Sequence, residues 1–294
     1  MPVEISPSHS ARVGDLDVRR ALPRRERRTI GAWCFVDHIG PIDISPDNSV
    51  DTAPHPHMGL QTVTWLLEGE VLHRDSLGSE QLIRPGELNL MTAGNGIAHS
   101  EEGFGHRTGR AHAVQLWVAQ PEATRHGGAA FEHHESLPAV DFDHSTCTVL
   151  VGEFAGSSSA ARRDTEHVGL DLRLRPGRTT LPLVPTFEYG AIVMDGRVQL
   201  AGEVLAPGQL AYLGIGREDI VLAVDDESRM LLIGGLPFEA PVSMFWNFVA
   251  RTHAEIDEAV RQWQADDGRF GRVASKLSRI PSPTPPWRIS TGDR

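Results

Sequence analysis

The sequence predicts an all-β chain folded as two barrels in tandem. Three observations carry that reading. Apolar residues fall in short runs bounded by turn signals, one strand–turn–strand pattern occurs twice in the same order, and helical periodicity is confined to the C-terminal end. At 294 residues the chain has the length of about two domains. It can bury a full core without disulfide or metal staples.

The runs come in order as Gln61–Leu67, Ala113–Val118, Leu170–Leu174, Gly190–Met194 and Met230–Ile233, all rich in β-branched and aliphatic residues. Twenty-nine glycines and 20 prolines separate such runs, in turns such as EGE, RPGE, DGR and APGQ, the punctuation of a sandwich or barrel. Leu66-Leu67-Glu68-Gly69-Glu70-Val71 parallels Val193-Met194-Asp195-Gly196-Arg197-Val198 at an offset of 127, and Arg84-Pro85-Gly86-Glu87-Leu88 parallels Ala206-Pro207-Gly208-Gln209-Leu210 at an offset of 122. Each half therefore reads strand, acidic-Gly turn, strand, Pro-Gly turn, strand, the signature of a duplicated unit. The small, polar stretch 154–161 (FAGSSSAA) is the weak joint, and the expected division is 1–150 and 151–294. Thr252 and Glu255 form a capping box, followed by Ile256, Val260 and Trp263 at helical spacing, so 253–266 is an expected helix with Gly268 as its stop. From Pro281 the Pro-rich end is expected to be an extended tail.

Composition narrows the function. The net charge of −11 argues against direct binding to nucleic acid or anionic membrane. The absence of a membrane-length apolar run or an apolar leader, together with two cysteines, Cys34 and Cys147, points to a soluble, reduced, cytoplasmic protein. Histidine is concentrated: of 14, 12 lie at or before position 144. Whatever histidine does here, it does in the first half.

The chemistry sits at Pro54-His55-Pro56-His57-Met58-Gly59. In an extended segment residues i and i+2 share a face, so His55 and His57 aim at a common point, and the proline before each histidine biases the chain away from helix. Forty-two residues on, His99-Ser100-Glu101 repeats the spacing at the end of a Gly-rich stretch. If both pairs line one interior, three imidazoles and a carboxylate converge. Such a set suits Fe(II), with Ni, Cu, Mn and Zn compatible, and leaves two open positions on an octahedral ion. The repeat offsets map His55, His57, His99 and Glu101 to Pro182, Val184, Val221 and Ala223, so the second copy has no ligands and reads as structural.

The order P-H-P-H-x-G, LLEGE, a Pro-Gly turn near 85, TAGNGIAHSE and VQLWV closely resembles the pirin family of the cupin superfamily, through most of residues 30–135 and more weakly through the second half. The resemblance implies two tandem cupin, jelly-roll-like β-barrel domains with a C-terminal helix and tail. It implies a metal, usually iron, in the first barrel, held by His55, His57, His99 and Glu101. Many single-domain cupins place a glutamate soon after the H-x-H pair; here that position is Gln61, and the glutamate of H-x-E, Glu101, serves as in pirins. Trp246-Asn247-Phe248 departs from the usual pirin wording.

Other residues have plainer readings. His73, His106 and His112 flank the same strands and are fillers unless they touch substrate, while His133 and His134 are expected to be solvated. Gln115 is expected to face inward behind the site. Met91, Trp65 and Phe35 are core, or the wall of an aromatic pocket. The Gly-rich TAGNGIAH lacks the Lys-Ser/Thr of a phosphate loop. The stretch 24–28 (RRERR) reads as a solvated arm and Cys34 as buried filler.

Family resemblance implies a quercetin 2,3-dioxygenase-type reaction on a small flavonol-like aromatic substrate with O₂. Glu101 would also act as general base toward the substrate hydroxyl that the metal acidifies. It also implies an alternative: a non-enzymatic protein whose iron redox state controls binding of protein partners. A metal-assisted keto-sugar isomerase is a third reading of the same scaffold.

Overall fold

The computed structural model describes residues 3–13, 16–45, 51–103 and 109–289. The predicted architecture is present: the chain is predominantly β, in two barrels of matching design. Each barrel faces a seven-stranded antiparallel sheet with a four-stranded one. In the first, the large sheet runs Ala130–His134, Leu88–Thr92, Leu60–Glu68, Gly109–Ala119, Trp33–Ile44, Leu16–Leu22, His9–Val13, and the small one Thr52–His57, Ile97–Gly103, Val71–Asp75, Glu80–Ile83. In the second, the large sheet runs Glu4–Pro7, Gln209–Gly214, Glu188–Asp195, Ser228–Gly235, His167–Leu174, Ser145–Val151, Ala139–Phe142, and the small one Gly177–Pro182, Asp219–Val224, Val198–Leu200, Glu203–Leu205. All five apolar runs lie in the middle of the large sheets.

Those runs are apolar on consecutive residues because both faces of the strands are covered. Ala191 and Val193 point into the second barrel, where they meet Leu170, Leu222 and Met230. The alternating Ile192 and Met194 point the other way and pack with Val36, Val63, Trp65 and Leu116 of the first barrel. The two large sheets thus lie back to back and share a core. Trp33 sits in that core, fully buried, and its Nε1–H donates to the carbonyls of Val168 at 3.1 Å and Gly234 at 3.2 Å. A Cβ on Gly169 would stand 2.9 Å from the indole, so glycine there is what lets the ring in.

Each end of the chain is built into the barrel that the other half forms. Glu4–Pro7 pairs with Gln209–Gly214 in the second sheet. The 24–28 arm is docked in part: Arg27 lies 3.2 Å over the Tyr212 ring and pairs with Glu4, while Arg25, Glu26 and Arg28 are exposed. In the opposite direction, the hairpin Ser243–Phe245 and Phe248–Ala250 brings the C-terminal helix, His253–Ala265, back to the first barrel. Val249 N–H donates to the Met58 carbonyl at 3.0 Å, and Ile256, Ala259 and Trp263 pack with Met58, Ala98 and Phe248. A helix that chain order assigns to 151–294 therefore covers the first barrel, and position 150/151 falls at the end of a strand of the second sheet.

Local signals place the helix well. The Thr252 hydroxyl accepts the Glu255 N–H at 3.3 Å, and Glu255 accepts the Arg251 N–H while pairing with Arg125. The helix stops earlier than Gly268, at Asp266 in the left-handed region (φ 51°), whose N–H caps Trp263. The tail is extended but anchored: Ile280 N–H reaches the Pro54 carbonyl at 2.9 Å, and Trp287 stacks on His253 at 3.9 Å.

Trp33→Ala removes one of the two tryptophans of the shared core together with its indole hydrogen bonds. It is expected to cost about 3–5 kcal/mol in chemical denaturation, the range for large aromatic-to-alanine changes.

Candidate metal centre

Thr52–His57 is the edge strand of its sheet, so Pro54 and Pro56 interrupt no ladder that a central strand would need. Alternation puts His55 and His57 on the inner face. Ile97–Gly103 pairs alongside with His99 directly opposite His55. The three rings meet at centroid separations of 5.0 Å (His55–His57), 4.4 Å (His55–His99) and 4.9 Å (His57–His99). One ring nitrogen from each lies within 4.8 Å of the other two, and all three side chains are buried.

The hydrogen bonding around the rings fits metal ligands. His55 Nδ1 is bonded to the Ala53 carbonyl at 2.8 Å, which leaves Nε2 to point inward. His57 Nδ1 and His99 Nε2 are buried with no partner. Buried ring nitrogens are seldom left so, and three neutral imidazoles around one point are a metal-binding group. Burial, and then the neighbouring imidazoles, push His57 and His99 well below the usual histidine range, and burial lowers His55 to about 4. At neutral pH all three therefore present lone pairs.

Glu101 departs from the simple i, i+2 expectation. A register shift after His99 sets Glu101 opposite Thr52 instead of continuing the ladder. Such a bulge re-aims the following side chain. Glu101 stands outside the three-histidine cluster but lines the same cavity, half-buried, and its Oε1 accepts from Thr64 at 3.2 Å. Burial raises its carboxyl pKa above the ordinary range, with His73 opposing. Gln61 is turned away, donating to Thr92 at 3.1 Å.

The cavity over the triad has a volume of about 480 Å³, in the range that takes a small ligand. Phe35 and Trp117 stack at 3.9 Å on its wall, and His57 meets the Trp117 ring edge-on. Thr64, Gln115 and Glu101 supply polar groups, with the Thr64 hydroxyl 3.0 Å from Gln115 Oε1. Arg20 lies 4.4 Å from the Phe35 ring centroid and is held by both oxygens of Asp37 at 2.7 Å. Sequence reasoning missed Arg20 and Asp37; the inward parity of Leu16, Val18 and Arg20 on one strand was the available signal. It also missed the hairpin tip Trp246-Asn247, which lines the cavity from the far end of the chain.

The remaining histidines lie elsewhere. His112 is buried against His38, with Nε2 atoms 2.8 Å apart. His73 stands behind His99 with its ring on Phe131. His133 and His134 are half-buried and bonded to Asn89 and Glu132, and His106 lies outside the described residues. Met91 and Trp65 are core, and Phe35, in the same core cluster as Met91, also lines the pocket. Burial drives the Cys34 thiol to about 12, which makes it inert at neutral pH.

The second barrel is filled where the first is open. Thr179 opposite Leu222 and Leu181 opposite Ile220 stand where His55 opposite His99 and His57 opposite Ile97 stand in the first. Leu181, Ile220, Leu222 and Val224 are all core. The repeat offsets pointed instead to Pro182, Val184, Val221 and Ala223, which belong to the more exposed side. Across the longer loop 183–187 the strand Gly177–Pro182 is displaced by three residues, and Asp219–Val224 by one; either odd shift exchanges the faces of a strand. The conclusion that these positions hold no ligands is unchanged.

Two barrels with one three-histidine centre define a bicupin. The chain belongs to the pirin family: residues 15–118 match the model described as Pirin, and residues 169–271 match the Pirin C-terminal cupin domain. It is 46% identical over 278 residues to a Pseudomonas aeruginosa protein provisionally named a quercetin 2,3-dioxygenase, covering 94% of this chain and 88% of that one. It is 30% identical over 274 residues to human Pirin, covering 90% and 91%. A crystal structure titled as quercetin 2,3-dioxygenase from Acinetobacter baumannii superposes with a TM-score of 0.94 at 44% identity, covering 98% of this chain and 97% of that one.

The depressed histidines make acid stability measurable. Above pH 6.5 folded and unfolded chains are equally unprotonated at these sites. Between 6.5 and about 4 the unfolded chain binds protons that folded His55 refuses, so stability falls with pH at a limit of roughly 3 kcal/mol for a shift of this size. Metal-free protein melted at pH 7.5 and pH 5 should show this drop, and His55→Gln should lessen it, with the shares of His57 and His99 remaining.

Proposed function

We propose that the chain is a metal-dependent dioxygenase of the quercetin 2,3-dioxygenase type, acting on a flavonol-like aromatic with O₂. The observation that carries this reading is the placement of three buried, neutral imidazoles at the base of an aromatic-walled cavity of about 480 Å³. The names of the Pseudomonas and Acinetobacter relatives support it. His55, His57 and His99 would hold the ion, with Glu101 as fourth ligand; Fe(II) is the first choice for that set, and Ni, Cu, Mn or Zn are compatible. When bound, such an ion acidifies a substrate hydroxyl and brings it beside O₂.

The protein's own residues do the rest. Phe35 and Trp117, stacked on each other, wall the cavity with apolar surface against which a planar aromatic packs. Asp37 locks Arg20 against Phe35, so the cation is fixed before substrate arrives. Glu101, made more basic by burial and bonded through Oε1 to Thr64, takes the substrate hydroxyl proton on its carboxylate. Ile280 and the 243–250 hairpin line the cavity from the chain end. Among the described residues no helix is long and apolar enough to cross a membrane, and both cysteines are free and buried, which supports a reducing, cytoplasmic setting.

The decisive measurement is the metal content of anaerobically purified protein together with O₂ uptake on adding quercetin. Near-stoichiometric metal with quercetin-dependent uptake is expected. Stoichiometric metal without uptake on quercetin or other flavonols overturns the catalytic reading in favour of a redox-responsive partner-binding protein.

His57→Ala should lose both metal and turnover while the far-UV circular dichroism stays β. Glu101→Gln, which keeps the three imidazoles, should lower kcat by about 10²–10⁴-fold, the usual contribution of a general base. Metal retention and unchanged uptake in either variant would remove that residue from the site.

A further inference from the structure

We propose that Asp75 and His73 form a buried relay that fixes the tautomer of His99 and thereby makes them positioning residues for the metal; this rests on the metal reading above. The relay begins in a turn. Asp75 Oδ1 accepts the N–H groups of Leu77 at 2.9 Å and Ser79 at 3.0 Å, which pins the carboxylate. Its other oxygen, Oδ2, lies 3.2 Å from His73 Nε2. The far side of that ring places His73 Nδ1 3.4 Å from His99 Nδ1, at the outer limit of a hydrogen bond. His99 Nε2 is the atom left without a partner and turned to the triad. Strand pairing fixes the geometry, since Asp75 is opposite His99 and His73 opposite Glu101. Phe131, stacked on His73 at 4.3 Å and 11°, keeps the ring from turning.

Proton placement follows from donor and acceptor chemistry alone. Two facing Nδ1 atoms cannot both carry hydrogen. A carboxylate is only an acceptor, so a neutral His73 carries its proton on Nε2 and offers a bare Nδ1. His99 must then carry its proton on Nδ1, which leaves Nε2 with the lone pair a metal needs. Hydrogen-bonded partners of ligating imidazoles set both tautomer and basicity in this way. His73, placed behind the metal cluster, thus acts through His99 and not on substrate.

Asp75→Asn tests this because it keeps size and an acceptor oxygen for Leu77 and Ser79, but turns an NH₂ toward His73. That forces the His73 proton onto Nδ1, and the His99 proton onto Nε2. In ¹⁵N-histidine-labelled, metal-free protein, two-bond ¹H–¹⁵N spectra should show His99 protonated on Nδ1 and His73 on Nε2, with both reversed in Asp75→Asn. Nickel(II) titrations should show affinity weakened about 10–100-fold in Asp75→Asn, and similarly in His73→Phe, which keeps the stack on Phe131. Nickel affinities within two-fold of the parent in both variants, or a parent His99 protonated on Nε2, would overturn the proposal. If Asp75→Asn does not fold, His73→Phe decides. A parent chain that binds no metal defeats the metal reading, while the tautomer spectra still judge the relay.

Discussion

The structure depends on two large sheets packed back to back. Because Ile192, Met194 and Ile233 of one sheet meet Val36, Val63 and Leu116 of the other, the central strands are buried on both faces, and each barrel is half of a common core. This explains why the large-sheet strands are nearly all apolar and why glycine recurs at the contact: Gly31 approaches Gly235, and Gly169 admits Trp33. It also bears on the site. A barrel anchored through its large sheet can keep its small sheet polar and its interior open, a condition that costs stability and that an isolated domain of this size would meet less easily.

The electrostatics of the open barrel follow from burial. An imidazole in water is divided between charged and neutral forms near neutral pH, but three packed together in a dry interior cannot share the charge. Desolvation and mutual repulsion push in one direction, toward neutral rings with free lone pairs. Glu101 is pushed the opposite way, toward holding a proton. The same surroundings therefore produce three neutral ligands and one carboxylate of raised basicity, which is the division of labour that an oxygenase on an acidic hydroxyl requires.

Features set by neighbours in the chain were legible in the sequence. His55 and His57 share a face because alternation is local, and the helix begins at Thr252 because its cap is local. The repeated acidic-Gly and Pro-Gly turns show as Gly69 and Gly196, and Gly86 and Gly208, all at positive φ. What long-range pairing decides was not legible. Glu101 is re-aimed by a bulge against Thr52. Trp246 and Asn247 reach the cavity because a hairpin after the second barrel folds back over the first. The equivalents of the ligands in the second barrel were misplaced, by three residues for His55 and His57, where the longer loop at 183–187 lies between the strands compared, and by one for His99.

That misplacement clarifies why one barrel carries a three-histidine group and the other does not. The inner positions of the second barrel, Leu181, Ile220, Leu222 and Val224, fill the space that imidazoles leave open in the first. Buried aliphatics contribute their transfer free energy directly, about 25 cal/mol per Å², whereas unpaired ring nitrogens cost free energy until a cation completes them. A duplicated barrel could lose its ligands and gain stability with each replacement, provided the other copy kept its site. The chain ends fit this division. The N-terminal strand adds to the filled barrel as one more pairing, while the C-terminal hairpin, helix and tail close over the open one. The second barrel, through the shared core and the returning chain, is then the scaffold on which the first can remain hollow.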